Sequence, residues 1–136
     1  MKYFFYLLLL SFLFSCSEEI EIEKSLPSTP EDLKDHSAEF TKEVIEVTDG
    51  VHMAVGFALA NAMMVEGEDS NIIIDTTGTV ETAREVKEIF QSINPNPISA
   101  IIYTHNHGDH VYGASVFAEE SDPEIYAHSS TGKYIS

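Results

Sequence analysis

The chain has 136 residues, with 7 basic and 23 acidic side chains, so its formal net charge is −16. This length allows one domain and argues against a large multidomain enzyme. The acidic balance argues against nucleic acid as a partner, and against docking on anionic lipid through protein charge, because phosphate groups would be repelled.

The first fifteen residues predict an export signal. Lys2 precedes an almost entirely apolar run over residues 3–14, which is shorter than the roughly twenty residues that a membrane-spanning helix needs. A basic start, a short apolar segment and a small residue at its end are typical of a secretory signal peptide. Residues 1–15 are therefore predicted to be removed from the mature protein.

Cys16 is the single cysteine, so it cannot form a disulfide within the chain. Leu13-Phe14-Ser15-Cys16 resembles a bacterial lipobox, which implies cleavage before Cys16 and a lipid on its sulfur. We therefore expect an exported protein, anchored by this lipid to a bacterial membrane in the periplasm or at the cell surface. A free buried or reactive thiol is the alternative.

Residues 16–40 predict an acidic flexible tether. Seven acidic residues lie between positions 18 and 35, and Pro27 and Pro30 interrupt any helical pattern there. A charged helix face is the alternative for this segment. The folded part is expected to comprise residues 41–136.

The first half of this folded part predicts several strands. The apolar residues Val44, Ile45 and Val47 precede Asp49-Gly50, a strong hairpin signal. Alternation over residues 51–59 predicts a half-buried strand, which Gly56 could break. Residues 62–65 predict another strand. The β-branched run at 72–74 predicts a strand in the middle of a covered sheet.

A strand–helix–strand unit follows. The turn at 76–79 offers hydroxyl groups to cap a helix, and apolar residues recur every three to four positions over 80–90. The sequence Asn94-Pro95-Asn96-Pro97 ends this helix, and residues 98–103 predict a buried strand parallel to the preceding one. A helix at 114–119, a strand at 124–127 and a helix beginning near Ser129 complete the α/β pattern.

The loop after the second parallel strand carries four potential metal ligands, His105, His107, Asp109 and His110. Ligands bind beyond the carboxyl ends of strands in open α/β sheets, and imidazole and carboxylate suit zinc, iron or manganese. In an extended loop His105 and His107 would share one side. Asp109 and His110 would face a second ion about 3.5–4 Å away, and the two ions could share a hydroxide. A histidine-rich surface turn without metal is the alternative.

Asp75 ends the neighbouring parallel strand and should lie beside the same loop. We expect its carboxylate to accept a hydrogen bond from a ligand histidine; a plain helix-entry residue is the alternative. His128 also follows a predicted strand, but no motif supports it, and we expect it to be structural or exposed. His36 and His52 are assigned no role.

Residues Thr104–His110 resemble the metal motif of the metallo-β-lactamase fold. Flanking stretches at 57–61, 74–77, 81–84 and 103–105, with Gly113, resemble its alkylsulfatase-like branch. The resemblance covers roughly residues 43–130. It implies that the chain supplies the N-terminal half of an αββα sandwich, with half the metal site and without the ligands expected downstream.

The same resemblance implies two zinc ions, with His105 and His107 on the first and Asp109 and His110 on the second. It implies a metal-bridging hydroxide as nucleophile or proton acceptor, with Asp109 in the catalytic role of orienting it. Iron or manganese could replace zinc, and a redox iron centre is a further alternative.

The activity expected from this resemblance is hydrolysis of sulfate esters, with a small, anionic ester as the substrate. Other esters, thioesters, phosphodiesters, lactones and β-lactams are alternative substrates on the same fold. A non-catalytic or inactive truncated lipoprotein is an alternative of a different class, so the sequence leaves open whether these 136 residues turn over a substrate. It does not predict an oligomeric state.

Overall fold

The computed structural model describes residues 29–38 and 40–135. The predicted signal peptide, Cys16 and the tether up to residue 28 lie outside the described residues. Contacts divide the chain into two compact units, Met1–Asp35 and His36–Ser136. Within the described part, no helix combines the length and apolar character needed to cross a membrane.

Helix α1 (Pro30–Ser37) lies where the sequence predicted a tether, and that prediction was wrong over these residues. Thr29 Oγ1 accepts a hydrogen bond from the Asp32 N–H at 3.1 Å, and the Thr29 N–H donates to Asp32 Oδ2 at 3.1 Å. This reciprocal pair is a capping box. Pro30 suits the first helical position because no N–H is needed there, so it starts the helix that it was expected to interrupt.

The unit His36–Ser136 is built on a six-stranded mixed sheet in simple sequential order. Its strands are β1 (Glu43–Thr48), β2 (Val51–Val55), β3 (Ala62–Val65), β4 (Asn71–Ile74), β5 (Ile98–Ile102) and β6 (Glu124–Tyr126). Neighbours are antiparallel from β1 to β4, whereas β4–β5 and β5–β6 are parallel. The predicted hairpin at Asp49-Gly50 and the predicted parallel pair are confirmed.

Gly56 ends β2 four residues before the predicted end of that strand. Its φ is +77°, and a Cβ there would lie 2.4 Å from the Thr41 carbonyl oxygen. Only glycine tolerates both conditions without strain. The chain therefore leaves the sheet at Gly56, and the following loop buries Phe57 but leaves Leu59 exposed.

Helix α2 (Val80–Ile93) connects β4 to β5, as predicted. Thr79 caps it by accepting the Thr82 N–H at 3.2 Å. The short helices α3 (Gly108–Val111) and α4 (Ala114–Phe117) follow β5, and the helix expected near Ser129 is a single 3₁₀ turn at Thr131–Lys133. The buried hydrophobic cluster includes Phe90 of α2, Phe117 of α4 and Ile73 and Ile101 of the sheet.

The central strand β4 is covered unequally on its two faces. Ile73 is buried, whereas Ile72 and Ile74 on the opposite face are half-buried. The expectation of a strand covered on both faces is therefore met on one face only. The core of this unit lies on the Ile73 face, where α2 contributes its apolar stripe.

The turn after β4 and the segment after β5 are hydrogen-bonded to each other, and we call residues 75–78 and 108–113 together the interlock. The Thr76 N–H and hydroxyl both donate to the His110 carbonyl, at 2.8 and 3.0 Å, and the Gly113 N–H donates to the Thr77 carbonyl at 3.1 Å. Asp75 and Thr77 have φ values of +56° and +64°. Such angles are unfavourable for a non-glycine residue, so the surrounding contacts must hold this turn.

Gly113→Ala tests the interlock. The added Cβ would lie 2.0 Å from the Thr76 carbonyl oxygen and 2.7 Å from the Ala83 Cβ, so the turn and the segment must separate. We expect a loss of about 2 kcal/mol or more, measured as a lower thermal unfolding midpoint. Gly132→Ala is the matched control, because no atom lies within 4 Å of its added Cβ. Equal midpoints for the two variants would contradict the close contact.

Candidate metal centre

The candidate site lies at the edge of the sheet where the parallel strands β4 and β5 both end. Ile74 pairs with Ile102 in the register of these strands, so the residues that follow them emerge side by side. The Asp75 N–H continues the ladder by donating to the Ile102 carbonyl at 2.9 Å. Strand pairing therefore brings Asp75 next to Thr104 at the start of the histidine loop.

The carboxylate of Asp75 accepts three hydrogen bonds and is almost completely buried. Its Oδ1 accepts the Thr104 N–H at 2.8 Å, and its Oδ2 accepts the Thr104 hydroxyl at 2.6 Å. Oδ2 also lies 2.7 Å from Nδ1 of His110. Three donors compensate for the removal of this charge from water.

We infer from these hydrogen bonds which nitrogen of two imidazoles carries the proton. An ionised carboxylate only accepts, so His110 donates from Nδ1 to Asp75. The single hydroxyl proton of Thr104 goes to Asp75, so Thr104 Oγ1 accepts from Nδ1 of His105 at 3.0 Å. Both neutral rings then keep an unprotonated Nε2, which is the form that coordinates a metal.

The four predicted ligands come together at this edge. The ring centroids of His105 and His107 are 4.6 Å apart, and those of His105 and His110 are 3.9 Å apart. Asp109 Oδ2 lies 3.5 Å from Nε2 of His110. His107 is exposed, and the other three are partly buried, so the cluster opens to solvent.

The loop is extended at His107 and turns at Gly108. His107 has an extended backbone, but helix α3 begins at Gly108, so Asp109 and His110 lie on a helical turn. A Cβ on Gly108 would approach the ring of Tyr112 to 2.3 Å. Tyr112 is exposed, so its ring would turn away from an added Cβ, and this contact does not by itself require glycine.

The donor set fits a divalent metal in its chemistry but does not form a complete coordination site. Imidazole nitrogen and carboxylate oxygen are ligands of zinc, iron and manganese. Over residues 29–38 and 40–135, however, no three His, Cys, Asp or Glu side chains are arranged to hold one ion. The described loop thus offers fewer than three convergent donors to any single metal.

Thr104 is a site residue whose role the sequence analysis missed. Thr104 is the first residue of the motif at 104–110. Its hydroxyl contacts both Asp75 and His105, and the contact with Asp75 exists only in the folded chain. The hydroxyl beside a candidate ligand at a strand end was the available signal. Sequence spacing alone did not identify its two partners.

His36 and His52, which were assigned no role, lie in other surroundings. His36 makes an edge-to-face contact with Phe40. Buried His52 contacts Oε1 of Glu66 through Nε2 at 2.5 Å, while Oε2 accepts from Asn94 at 2.7 Å. Hydrogen bonds from Asn94 and His52 hold the pKa of Glu66 below its usual value. These hydrogen bonds connect β2 and the residue after β3 to the residue that follows α2.

Comparison with known proteins identifies one family over most of this unit. The profile described as the metallo-beta-lactamase superfamily matches residues 55–136. The chain is 38% identical over 80 residues to the alkyl/aryl-sulfatase BDS1 of Saccharomyces cerevisiae and 36% identical over 80 residues to a linear primary-alkylsulfatase of Pseudomonas sp.. Each alignment covers 58% of this chain but 12% of the relative.

A solved structure shows the same fold. The stereoselective inverting sec-alkylsulfatase Pisa1 from Pseudomonas sp. superposes with a TM-score of 0.63 and 28% sequence identity, over 69% of this chain and 16% of that one. The mixed sheet and its helices therefore match a metallo-beta-lactamase fold. The chain spans only a small part of the length of these relatives.

Asp75→Asn tests whether this carboxylate supports metal binding. Asparagine tolerates the positive φ of residue 75, but it removes the charge that accepts from Thr104 and His110. We expect zinc affinity to fall about 10–100-fold, as is common when a partner of a metal ligand is lost, measured by competition with a chelating dye. Exposed Asp69 provides the control Asp69→Asn. Unchanged affinity in Asp75→Asn would contradict this role.

Proposed function

The chain belongs to the metallo-beta-lactamase superfamily, and we propose that it takes part in the metal-dependent hydrolysis of sulfate esters of alkyl alcohols. The observation that carries this proposal is the cluster of His105 and His110 around buried Asp75 at the carboxyl edge of the parallel strands. The identity to alkylsulfatases supports the substrate class. Because the chain spans 12% of two of these relatives, the activity of the whole protein is part of the proposal.

Membership of this superfamily implies a divalent metal, typically zinc. We propose that His105 and His107 contribute to one ion and that Asp109 and His110 contribute to a second. Catalytic zinc sites normally have three protein ligands, so the remaining donors must come from outside the residues that the structure describes. A bound divalent metal would activate water and polarise the ester oxygen.

The residues of this chain orient the ligand imidazoles and accept a hydrogen bond from the attacking water. Asp75 holds His110 directly and His105 through Thr104, so both rings present Nε2 on the same edge. We assign Asp109, whose Oδ2 lies near Nε2 of His110, the role of accepting a hydrogen bond from the attacking water. These contacts are made before substrate arrives, so little reorganisation accompanies the reaction.

Charge at the site is compatible with an anionic substrate, although the chain as a whole is acidic. Among residues 75 and 104–110, the carboxylates are those of Asp75 and Asp109, and two divalent ions would exceed their combined negative charge. A sulfate ester carries one negative charge and offers only oxygen acceptors. A metal-loaded site would therefore attract it.

A second candidate function follows from the incomplete donor set. Since no three ligands converge within the described residues, the second candidate is a non-catalytic protein that holds metal weakly. Metal stoichiometry separates the two candidates. Tight binding of two zinc equivalents favours the hydrolase, whereas weak or absent binding favours a non-catalytic protein.

We also propose that the protein is exported and anchored to a bacterial membrane by a lipid on Cys16. The basis is the sequence alone, with Lys2, the apolar residues 3–14 and the lipobox-like sequence that ends at Cys16. These residues lie outside the described part of the chain. Attachment through one cysteine would leave the folded unit free of the lipid bilayer.

His110→Ala tests the proposed hydrolase. Removal of this imidazole also leaves the Asp75 carboxylate without one donor, so we expect zinc affinity and sulfate release from decyl sulfate to fall about 100-fold or more. Zinc is measured by equilibrium dialysis and sulfate by ion chromatography. The control is His36→Ala, which removes a histidine away from the metal loop. Wild-type protein that neither binds zinc nor releases sulfate would overturn the proposal.

Cys16→Ser tests the proposed anchor. We expect wild-type protein in the membrane fraction of the producing bacterium and the variant in the soluble exported fraction, because serine cannot receive the thioether-linked lipid. Immunoblotting of the fractions, with metabolic labelling by an alkyne fatty acid, measures both properties. Ser17→Ala is the matched control. An unlabelled wild-type protein would contradict lipidation.

A further inference from the structure

We propose that His128 binds the anionic group of the substrate through its Nε2–H, as a hydrogen-bond donor outside the metal-ligand set. This inference rests on the proposed function, because it concerns the recognition of an anionic ester at the same edge. The sequence motif does not include His128. The inference rests on the position of His128, which follows strand β6, and on the contacts of its ring.

The chain places His128 at the edge that carries the histidine loop. Strands β5 and β6 are parallel, with Ile102 opposite Tyr126. The Tyr103 N–H donates to the Tyr126 carbonyl at 2.9 Å, so the ladder reaches the last residue of β6 and one residue past the end of β5. Residues 127–130 therefore leave the sheet beside residues 104–107.

The contacts with Ser130 indicate which nitrogen of the His128 ring carries the proton. The Ser130 backbone N–H donates to Nδ1 at 3.3 Å, and the Ser130 Oγ lies 2.7 Å from the same nitrogen. A backbone N–H can only donate, so Nδ1 is an acceptor and carries no proton. The neutral ring therefore has its proton on Nε2.

This arrangement is opposite to that of His105 and His110. Those rings donate from Nδ1 and keep Nε2 free for a metal, whereas His128 accepts at Nδ1 and presents an N–H at Nε2. A nitrogen that carries a proton cannot coordinate a metal. His128 is therefore suited to donate to an oxygen, and a sulfate group offers only acceptor oxygens.

The surroundings of His128 leave this donor available. The residue is exposed, and within residues 29–38 and 40–135 the hydrogen bonds of its side chain all involve Nδ1, while its backbone carbonyl accepts from the Thr131 N–H at 2.8 Å. No carboxylate in that part of the chain forms an ion pair with it. The Nε2–H is thus held in orientation by Ser130 while it faces solvent.

Long-range ¹H–¹⁵N NMR of the zinc-loaded protein with ¹⁵N-labelled histidine tests this proposal without turnover. We expect the His128 signals, identified by their loss in His128→Phe, to show a protonated Nε2 and an unprotonated Nδ1. Addition of inorganic sulfate should shift the Nε2–H signal, with sodium chloride at equal ionic strength as the control. A proton on Nδ1, or zinc coordination by Nε2, would overturn the proposal.

Sulfate affinity of the variants provides the second readout. His128→Phe should weaken sulfate binding about tenfold, whereas His128→Gln, which retains an N–H donor, should recover part of the affinity. Equal affinity in wild type and His128→Phe, or no sulfate binding by wild type, would overturn the proposal. Decyl sulfate hydrolysis, measured in parallel, tests the proposed function separately. Sulfate binding at His128 without hydrolysis would reject the activity and retain this binding site.

Discussion

The buried carboxylate of Asp75 is the interaction on which the arrangement of the site depends. It accepts from the Thr104 N–H, the Thr104 hydroxyl and Nδ1 of His110. A buried charge without these donors would be strongly unfavourable, so the turn after β4 and the loop after β5 must stay together. The same bonds set the protonation of His105 and His110 and leave Nε2 of each ring available.

The backbone around Asp75 shows how the fold maintains this contact. Asp75 and Thr77 both have positive φ values, which aspartate tolerates better than most residues but which cost the β-branched Thr77 roughly 1–2 kcal/mol. The bonds from Thr76 to the His110 carbonyl and from Gly113 to the Thr77 carbonyl hold the turn in place. Unfavourable local geometry is thus offset by tertiary hydrogen bonds at the edge that carries the candidate site.

Several of these features could be predicted from the sequence, because they depend on local pattern. The β-branched run at 72–74, the apolar stripe of α2 and the histidine spacing predicted the parallel strands and the loop at their end. The role of Thr104 could not be predicted, because it depends on partners at positions 75 and 105 that fold and register bring together. The sequence pattern did not predict the helix at Pro30–Ser37, because proline interrupts a helix interior but also suits the first helical position.

Zinc titration of ¹⁵N-histidine-labelled protein, followed by long-range ¹H–¹⁵N NMR, tests this arrangement most directly. If Asp75 orients the ligands, His105 and His110 carry a proton on Nδ1 before zinc is added. During the titration their Nε2 signals shift while both Nδ1 protons are retained. Protonation of Nε2 in the metal-free protein, or zinc coordination through Nδ1 of either ring, would contradict it.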